Sequence, residues 1–330
     1  MQSTMGGATL RAMDLSDAAL RHLRGALERP ETIAERYDVA EELGRGGMGA
    51  VYRAYDRALD RDVAVKVLAR AELDPRANER LQREARIAAR LEHPGIVPVY
   101  DVGLLDDGRP FYVMKLVAGA RLDEMIGSEL ATAERVDVFL RICEAVAYAH
   151  ARGVVHRDLK PANVRVGAFG EVQVLDCGVA TVLAGAEDAE GASSIARTAE
   201  HATKAGTVVG TPGWMAPEQE RGDPDVDARA DVHALGRILA ALLARGATLS
   251  RRRLAAIVAR ATAHEREARY ATVEELAADV RALRAGEAVR ALAEGPFEKA
   301  LRVAARHQAA IAIVLAYLAL RVLFFFYGRS

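Results

Sequence analysis

The stretch HRDLKPAN, residues 156–163, decides the fold of this chain. Val154 and Val155 precede it, and Val164 and Val166 follow it with one residue between them. This pattern of apolar residues predicts two short strands on either side of a loop. The loop is therefore expected to stand on a rigid base, as loops that carry catalytic residues do.

Three polar side chains of this loop suit the transfer of a phosphoryl group. Asp158 can accept the proton of an attacking hydroxyl group, and Asn163 can bind Mg²⁺. Lys160 is expected to lie near the transferring phosphate. A charged turn without a catalytic role is the alternative when the loop is considered alone.

A second motif, Asp-Cys-Gly at residues 176–178, ends the apolar run 172–175. An acidic residue at the end of a strand, followed by a flexible glycine, is suited to holding a metal ion. Together the two motifs resemble those of the protein kinase family, and residues 158–163 resemble the Ser/Thr class rather than the Tyr class. Within that family the chain is most similar to the bacterial eukaryotic-like Ser/Thr kinases.

This resemblance covers residues 36–285 and implies an α+β, bilobal protein kinase fold, with a β-rich small lobe and a mainly helical large lobe. It implies ATP as the phosphoryl donor, Mg²⁺ or alternatively Mn²⁺ as the metal, and Asp176 beside Asn163 as a metal ligand. It also implies protein substrates, whose identity the sequence does not give.

Composition and charge limit the other classes. The 330 residues, 51% of them hydrophobic, are enough for a substantial core, which excludes disorder throughout. The formal net charge of -1 provides no basic field, so no nucleic-acid partner is expected. Two cysteines, Cys143 and Cys177, form no disulfide framework and fit a reducing, cytoplasmic compartment.

The segment LGRGGMGAVY, residues 43–52, contains three glycines at positions where a backbone folds closely over phosphates. A dinucleotide-binding loop is the alternative, but the next element is predicted to be a strand rather than a helix, which excludes it. By resemblance, the nucleotide contacts here are Leu43, Gly44, Gly46, Gly49 and Val51.

Residues 62–68 alternate as a strand and place Lys66 on an inward face, where it requires an anion. The resemblance implies that Lys66 contacts the α- and β-phosphates and pairs with a glutamate of the following helix. That helix is predicted over residues 74–90. Glu84 is the candidate partner, with Glu79 as the local alternative.

The strand predicted at residues 110–117 is expected to lead into the hinge between the lobes. Met114 would then face the adenine, and Ala64 would form one of its apolar walls. Lys115 replaces a glutamate that is common in such kinases, but little loss is expected because the hinge binds adenine mainly through backbone groups. Val117 completes the predicted adenine site.

Residues 181–209 have no apolar period and are long for a loop, and they resemble an activation segment. Thr198, Thr203 and Thr207 are its candidate phosphorylation sites. Arg157, beside the catalytic aspartate, is the residue expected to pair with such a phosphate.

The segment that follows, GTPGWMAPE at residues 210–218, agrees closely with the Ser/Thr kinase pattern. The resemblance implies that Thr211 helps to position the substrate hydroxyl and that Glu218 pairs with Arg269. It also implies that Asp231, on a buried helix of the large lobe, holds the catalytic loop.

Two departures from the family pattern favour an alternative function. Cys177 replaces the usual aromatic residue between the metal-binding aspartate and the glycine. The large lobe is also short after the helix that contains Gly236, because residues 244–250 lead almost directly into the next predicted helix, 251–262. The alternative is a pseudokinase, a membrane-tethered module that binds nucleotide or partners without transferring phosphate.

The chain is predicted to continue beyond the catalytic lobes into a membrane anchor. The apolar run 309–327, at 1.5 Å per residue, would just cross a bilayer, and Arg321 lies near enough to its end to reach the interface. Basic residues precede the run more often than they follow it, which predicts a single-pass protein of the cell (inner) membrane with a cytoplasmic kinase domain. A buried helix is the alternative.

Small residues at helical spacing in this run allow a homodimer, with simple helix-forming filler as the alternative. They are Ala309, Ala312, Ala316 and Ala319. The predicted organisation is a partly disordered extension at 1–35, a small lobe at 36–118, a large lobe at 119–285, a basic juxtamembrane linker at 286–308, a transmembrane helix at 309–327 and a tail at 328–330.

Overall fold

The computed structural model describes residues 30–46, 49–68, 89–127, 130–175, 177, 210–244, 249–293, 295 and 313–321. Its first part is a six-stranded antiparallel sheet with the strand order β1-β2-β3-β4-β6-β5. The strands are β1 (Thr32–Ile33), β2 (Tyr37–Gly46), β3 (Gly49–Asp56), β4 (Arg61–Leu68), β5 (Val99–Leu104) and β6 (Pro110–Lys115).

Strand β4 is buried on both faces, and its alternation divides the small-lobe core in two. Val63, Val65 and Val67 belong to one apolar cluster, whereas Ala64 and Leu68 belong to another. Because successive side chains of a strand point to opposite sides, the sheet is covered on both faces at this strand. The face that carries Ala64 also carries the candidate nucleotide-binding residues.

The sheet begins before the boundary predicted at residue 36. Ile33 is fully buried in β1, which pairs with β2. Arg36 then donates from Nε and Nη2 to the buried Asp56 at 2.7 and 2.8 Å. These hydrogen bonds, against the opposing effect of burial, hold the pKa of Asp56 below its ordinary value. The sequence stretch around Ile33 is too short to show a strand period, so the prediction placed it in the extension.

The second part contains a three-stranded sheet of β7 (Ala120–Arg121), β8 (Val164–Val166) and β9 (Val172–Val174). Its described helices are α1 (Leu122–Met125), α2 (Thr132–His150), α3 (Pro217–Glu220), α4 (Arg229–Leu243), α5 (Arg251–Ala261) and α6 (Val273–Arg284). Helices α2, α4, α5 and α6 share one core, which includes Phe139, Ile142, Leu235, Ile257 and Val280. This core supports the catalytic loop, since β8 follows the loop directly.

Packing of the large lobe continues beyond the boundary predicted at residue 285. The buried carboxylate of Asp279 accepts hydrogen bonds from Tyr270 Oη at 2.8 Å and from the backbone N–H groups of Arg290 and Ala291 at 2.7 and 2.9 Å. Val289 is also buried. The predicted linker at 286–308 therefore begins with residues that belong to the lobe.

Residues 313–321 of the predicted membrane anchor are helical, and each of the nine is exposed. The remainder of the anchor lies outside the described residues. No helix in the described ranges has both the length and the apolar character required to span a membrane. The predicted extension up to residue 29 also falls outside the described residues.

Candidate active site

Three of the predicted catalytic side chains lie in contact. The hydroxyl of Thr211 donates to Asp158 Oδ1 at 2.8 Å. Lys160 Nζ donates to Asp158 Oδ2 at 2.7 Å and to Thr211 Oγ1 at 2.5 Å. Thr211 comes from a segment 53 residues further along the chain, so the lobe brings two distant motifs together at one carboxylate.

Asn163 completes the loop from the other side. Its Nδ2 donates to the backbone oxygen of Asp158 at 2.9 Å and to the Oδ2 atom of the same residue at 3.2 Å. This use of the amide nitrogen leaves the amide oxygen for a ligand, and amide and carboxylate oxygens are the donors that Mg²⁺ prefers. The donor set therefore fits the metal that the sequence predicts.

The second predicted metal ligand, Asp176, lies outside the described residues. Among those that are described, no three His, Cys, Asp or Glu side chains gather in a way that could hold a metal ion. Its neighbour Cys177 is described: it is buried, 6% exposed, in the large-lobe core. The small side chain thus occupies an internal position, where the family usually has an aromatic ring.

The backbone of the catalytic loop is held by the buried Asp231 of α4. Its carboxylate accepts from the backbone N–H groups of His156 and Arg157 at 2.8 and 2.9 Å, and it lies 2.7 Å from His150 Nε2. Burial raises the pKa of this carboxyl, but the bonds from His150 and from the backbone outweigh it, so the pKa lies below its ordinary value. Asp231 is therefore a buried, charged anchor.

Arg157 has a strained backbone that two contacts fix. Its φ is +62°, a left-handed conformation that costs a non-glycine residue about 1 kcal/mol or more. Asp231 binds its N–H, and Gln219 Nε2 donates to its carbonyl at 2.6 Å. The guanidinium is buried and donates to the backbone oxygen of Val226 at 3.3 Å. The candidate phosphorylation sites Thr198, Thr203 and Thr207 lie outside the described residues.

Glu218 and Arg269 form a buried bidentate pair. Arg269 Nη1 and Nη2 donate to the two carboxylate oxygens at 2.6 and 2.7 Å. Burial raises the pKa of Glu218, but the hydrogen bonds from Arg269 bring it below its ordinary value. Because Glu218 is the last residue of the segment 210–218 and lies in helix α3, this pair fixes the end of that segment to the large lobe.

Lys66 is buried on β4, opposite Tyr112 of β6. Its Nζ lies over the tyrosine ring, 5.7 Å from the ring centroid, which is within the range of a cation–π interaction. Glu84, its predicted partner, and the alternative Glu79 both lie outside the described residues. Tyr112 is an additional neighbour of Lys66 that the sequence did not indicate.

The candidate adenine site is an apolar cluster beside Lys66. Ala64 and Met114 are buried in it, and Val51, Val117 and Leu175 pack against them. Leu175 was not predicted, and it joins the cluster from the large lobe. The other two predicted residues are peripheral: Leu43 is 45% exposed, and Lys115 is exposed at the end of β6.

The predicted phosphate-binding glycines lie in the paired ends of β2 and β3. Gly46 pairs with Gly49, and Gly44 pairs with Val51. Gly49 has φ +135°, and a Cβ placed there would lie 2.1 Å from the carbonyl oxygen of Val67. Only glycine fits this position, whereas a Cβ on Gly44 would meet no atom within 4 Å. The strand pairing therefore requires glycine at position 49 but leaves open space beside Gly44.

Comparison with known proteins agrees with this geometry. A family model described as the protein kinase domain matches residues 37–286. The chain belongs to the protein kinase family. The resemblance seen in the sequence is thereby confirmed, and its relatives place this kinase among the bacterial eukaryotic-like Ser/Thr kinases.

Among those relatives, serine/threonine-protein kinase PknB of Mycobacterium tuberculosis is 41% identical over 217 residues, which are 64% of this chain and 32% of that protein. The probable serine/threonine-protein kinase SCO3848 of Streptomyces coelicolor is 40% identical over 224 residues, 66% of this chain and 31% of that protein. The chain therefore spans about a third of the length of the curated relatives it matches.

Solved structures show the same fold. The crystal structure of the Mycobacterium tuberculosis PknI kinase domain superimposes with a TM-score of 0.57 at 28% sequence identity. The match covers 76% of this chain and 96% of that one. The bilobal kinase fold, with its sheet in the small lobe and helices in the large lobe, is therefore the fold of this chain.

Three residues of the kinase site were not found by reasoning from the sequence. Gln219 holds the Arg157 carbonyl, His150 shares Asp231, and Tyr112 faces Lys66. Each is an ordinary residue of a helix or strand when the sequence is considered alone. The strand pattern offered a signal only for Tyr112, because pairing β4 with β6 in the observed register places it opposite Lys66.

Proposed function

We propose that the kinase transfers the γ-phosphoryl group of ATP to Ser or Thr hydroxyl groups of proteins, using Mg²⁺ or alternatively Mn²⁺. The observation that carries this proposal is the contact between Asp158, Lys160 and Thr211. This contact brings together a proton acceptor for the attacking hydroxyl group, a cation that can offset the phosphate charge and a threonine that can align the acceptor.

In this reaction Asp158 accepts the proton of the attacking hydroxyl. The oxygen forms a bond to the γ-phosphorus while the bond from that phosphorus to the bridging oxygen of ADP breaks. Lys160 offsets the negative charge near the transferring group, and Thr211 aligns the acceptor beside Asp158. Asn163 would hold the metal together with Asp176, and the metal supplies neutralisation of the phosphate charge when bound.

The small lobe would bind the remainder of the nucleotide. Lys66, paired with Glu84, is proposed to contact the α- and β-phosphates, and the turn between β2 and β3 to cover the phosphates. The apolar cluster of Ala64, Met114 and Val117 would enclose the adenine. These roles are supported by one buried cation and one apolar face on the same side of the sheet.

The direct test is phosphate transfer by the purified full chain in detergent, with ATP labelled at the γ-position and generic Ser/Thr proteins and peptides as acceptors. Wild type should incorporate label, and Asp158→Asn should lose about a thousandfold in rate. Asp223→Asn is the matched control, since Asp223 is an exposed residue paired with Arg221. Binding of ATP with no transfer to itself or to any acceptor would favour the pseudokinase alternative.

We further propose that the kinase phosphorylates itself in the activation segment, at Thr198, Thr203 or Thr207. Arg157 supports this proposal because it directly precedes the catalytic aspartate in the chain and carries a buried cationic side chain. A phosphate on the segment could form charge-assisted hydrogen bonds with this guanidinium. Phosphopeptide mapping after incubation with ATP should find one of these sites, and full activity of a protein with all three changed to Ala would contradict the proposal.

The chain is proposed to be anchored in the cell membrane by a single helix at 309–327, with both kinase lobes in the cytoplasm. Six large apolar side chains in the described part, from Ile313 to Leu320, are 48–70% exposed. Exposure of this kind on all sides of a helix fits lipid rather than water. The alanines of the same helix would allow a homodimer.

Fractionation tests the anchor. The full chain should sediment with membranes and require detergent, whereas a form ending at residue 294 should not. If both forms stay soluble without detergent, the proposed anchor is wrong.

A further inference from the structure

One face of helix α4 supports the segment that carries Thr211. Arg237 Nε donates to the carbonyl of Gly213 at 3.1 Å. One turn earlier, the buried ring of His233 faces the backbone of Trp214. Residues four apart lie on the same side of a helix, so α4 holds two consecutive residues of the segment.

Arg237 is close to the catalytic centre in this arrangement. The backbone N–H of Trp214 donates to the Thr211 carbonyl at 3.1 Å, which closes a tight turn over residues 211–214. The ends of such a turn lie within about 7 Å of each other. Thr211 in turn contacts Asp158. The guanidinium therefore lies on the order of 10 Å from the position of the acceptor hydroxyl, the length of about three residues of extended peptide.

Open space lies beside Gly213, the residue whose carbonyl Arg237 contacts. Gly213 has φ +87°, and a Cβ built on it would meet no atom within 4 Å. Arg237 is exposed, and its Nε–H donates to the carbonyl of Gly213. No carboxylate in the described ranges forms an ion pair with it. The two Nη atoms can therefore offer their N–H groups to a carboxylate from outside the chain.

We propose that Arg237 is a specificity-determining residue that selects acceptor proteins with an acidic side chain within about three residues of the phosphorylated Ser or Thr. The proposal rests on the proposed kinase function. An extended acceptor segment, with its hydroxyl at Asp158, would pass over Gly213 and place such a side chain next to the guanidinium. The planar fork of arginine suits a carboxylate, and its contact with Gly213 orients it in advance.

The test uses the full chain in detergent and a set of peptides with a single serine, in which Asp, Asn or Lys is placed at each of three positions on either side. Wild type should phosphorylate the best Asp peptide roughly fivefold more efficiently, in kcat/KM, than its Asn counterpart, as expected for a partly exposed charge pair. Lys at the same position should reduce efficiency further.

Substitutions at Arg237 distinguish selection of an acidic acceptor side chain from simple support of the backbone at Gly213. Arg237→Leu should bring the Asp-to-Asn ratio close to one, Arg237→Glu should reverse the preference towards Lys, and Arg237→Lys should retain part of it. A residue that only supports the loop would change the rate for all peptides by the same factor and leave the ratio unchanged. The KM for ATP should be unaffected in each variant, because Arg237 lies on the acceptor side.

Arg251→Leu is the matched control. Arg251 is an exposed arginine at the start of α5, and the other end of that helix, at Ala261, is the end that packs against Gly236 beside Arg237. Eleven residues of helix span roughly 16 Å, so removing this charge should leave the ratio as in wild type. An acidic preference that persists in Arg237→Leu, or its absence in an active wild type, would overturn this proposal alone. No transfer to any peptide would instead remove the proposed function, and this proposal with it.

Discussion

The two sides of the active site are built in different ways. On the catalytic side, residues far apart in the chain meet through buried polar groups: Asp231 binds backbone groups 74 and 75 residues away, and Thr211 reaches Asp158 across 53. On the nucleotide side, neighbouring strands place Val51, Lys66 and Tyr112 in register, and apolar packing does the rest.

This difference predicts different responses to substitution. A buried charge with several partners leaves all of them unsatisfied when it is removed, which costs several kcal/mol. A position on a sheet is held by many weak contacts, and the loss of one is partly absorbed. Single substitutions of buried polar residues on the catalytic side should therefore destabilise the large lobe. Single substitutions on the nucleotide side should mainly change the affinity for ATP.

The largest effect is expected for Asp231→Ala. It removes the acceptor for the backbone N–H groups of His156 and Arg157 and the partner of His150. The free energy of unfolding should fall by about 4 kcal/mol, and this can be measured from the denaturant midpoint.

Asp223→Ala provides the control for that measurement. Asp223 pairs with Arg221 on the surface, where both side chains are at least 40% exposed. Such pairs contribute about 0–1 kcal/mol, so this variant should unfold close to wild type. Equal losses of unfolding free energy in Asp231→Ala and Asp223→Ala would show that burial of Asp231 does not increase its contribution to stability.

The next effect is the dependence of stability on pH through His233. Burial, and then the charge of Arg269, lowers the pKa of His233 from 6.5 to about 4. Between these values the unfolded chain binds a proton that the folded chain does not, so stability should fall as pH decreases from 6.5 towards 4. The loss should approach about 3 kcal/mol at the lower end.

His233→Gln should remove this part of the dependence, because glutamine does not titrate. The difference between the two proteins at pH 5 to 6.5 isolates the effect. Burial also lowers the pKa of His93, but that residue is common to both proteins, and the carboxyls of Glu218 and Asp231 have lowered pKa values, so their contributions are lost only at more acidic pH. A wild type and a variant with parallel pH profiles over this interval would contradict the prediction.

A smaller effect is expected on the nucleotide side, for Gly49→Ala. The new Cβ would lie 2.1 Å from the Val67 carbonyl, and φ at this residue is +135°. Strain of this kind costs about 1–3 kcal/mol, and the KM for ATP should rise as the turn over the phosphates shifts. Gly44→Ala is the matched comparison for stability, since its Cβ would meet no atom within 4 Å. Equal destabilisation by Gly49→Ala and Gly44→Ala would show that the close approach of residue 49 to the Val67 carbonyl does not require glycine.

The same contrast explains how much of the molecule could be predicted. Alternation predicted a strand over residues 62–68 with Lys66 on an inward face, and the helix predicted at 251–262 is α5, which ends one residue earlier at Ala261. These are local patterns. The role of Asp231 came only from family resemblance, and that of Gln219 was not foreseen, because nothing near either residue in the sequence indicates a partner more than 60 positions away.

The smallest effect is expected for the contact between Tyr112 and Lys66. A cation over an aromatic ring contributes about 0.5–1 kcal/mol, or about 2 kcal/mol when the pair is desolvated; both residues are buried here, but Nζ lies 5.7 Å from the ring centroid, near the outer limit of the interaction, so the lower figure is expected. If this ring holds the ammonium in place for the phosphates, Tyr112→Leu should raise the KM for ATP by roughly three- to fivefold with little change in kcat. Tyr112→Phe retains the ring and should stay closer to wild type.

Repeating both substitutions with Lys66→Met separates this contact from general packing, because methionine has a similar length but no charge. In that background the difference between Leu and Phe should disappear if the ring acts through the lysine, since a coupled pair is not additive. A difference in ATP binding that survives the loss of Lys66 would mean that Tyr112 shapes the apolar cluster instead. The nucleotide side would then be held by packing alone, and the contrast with the charged catalytic side would be sharper still.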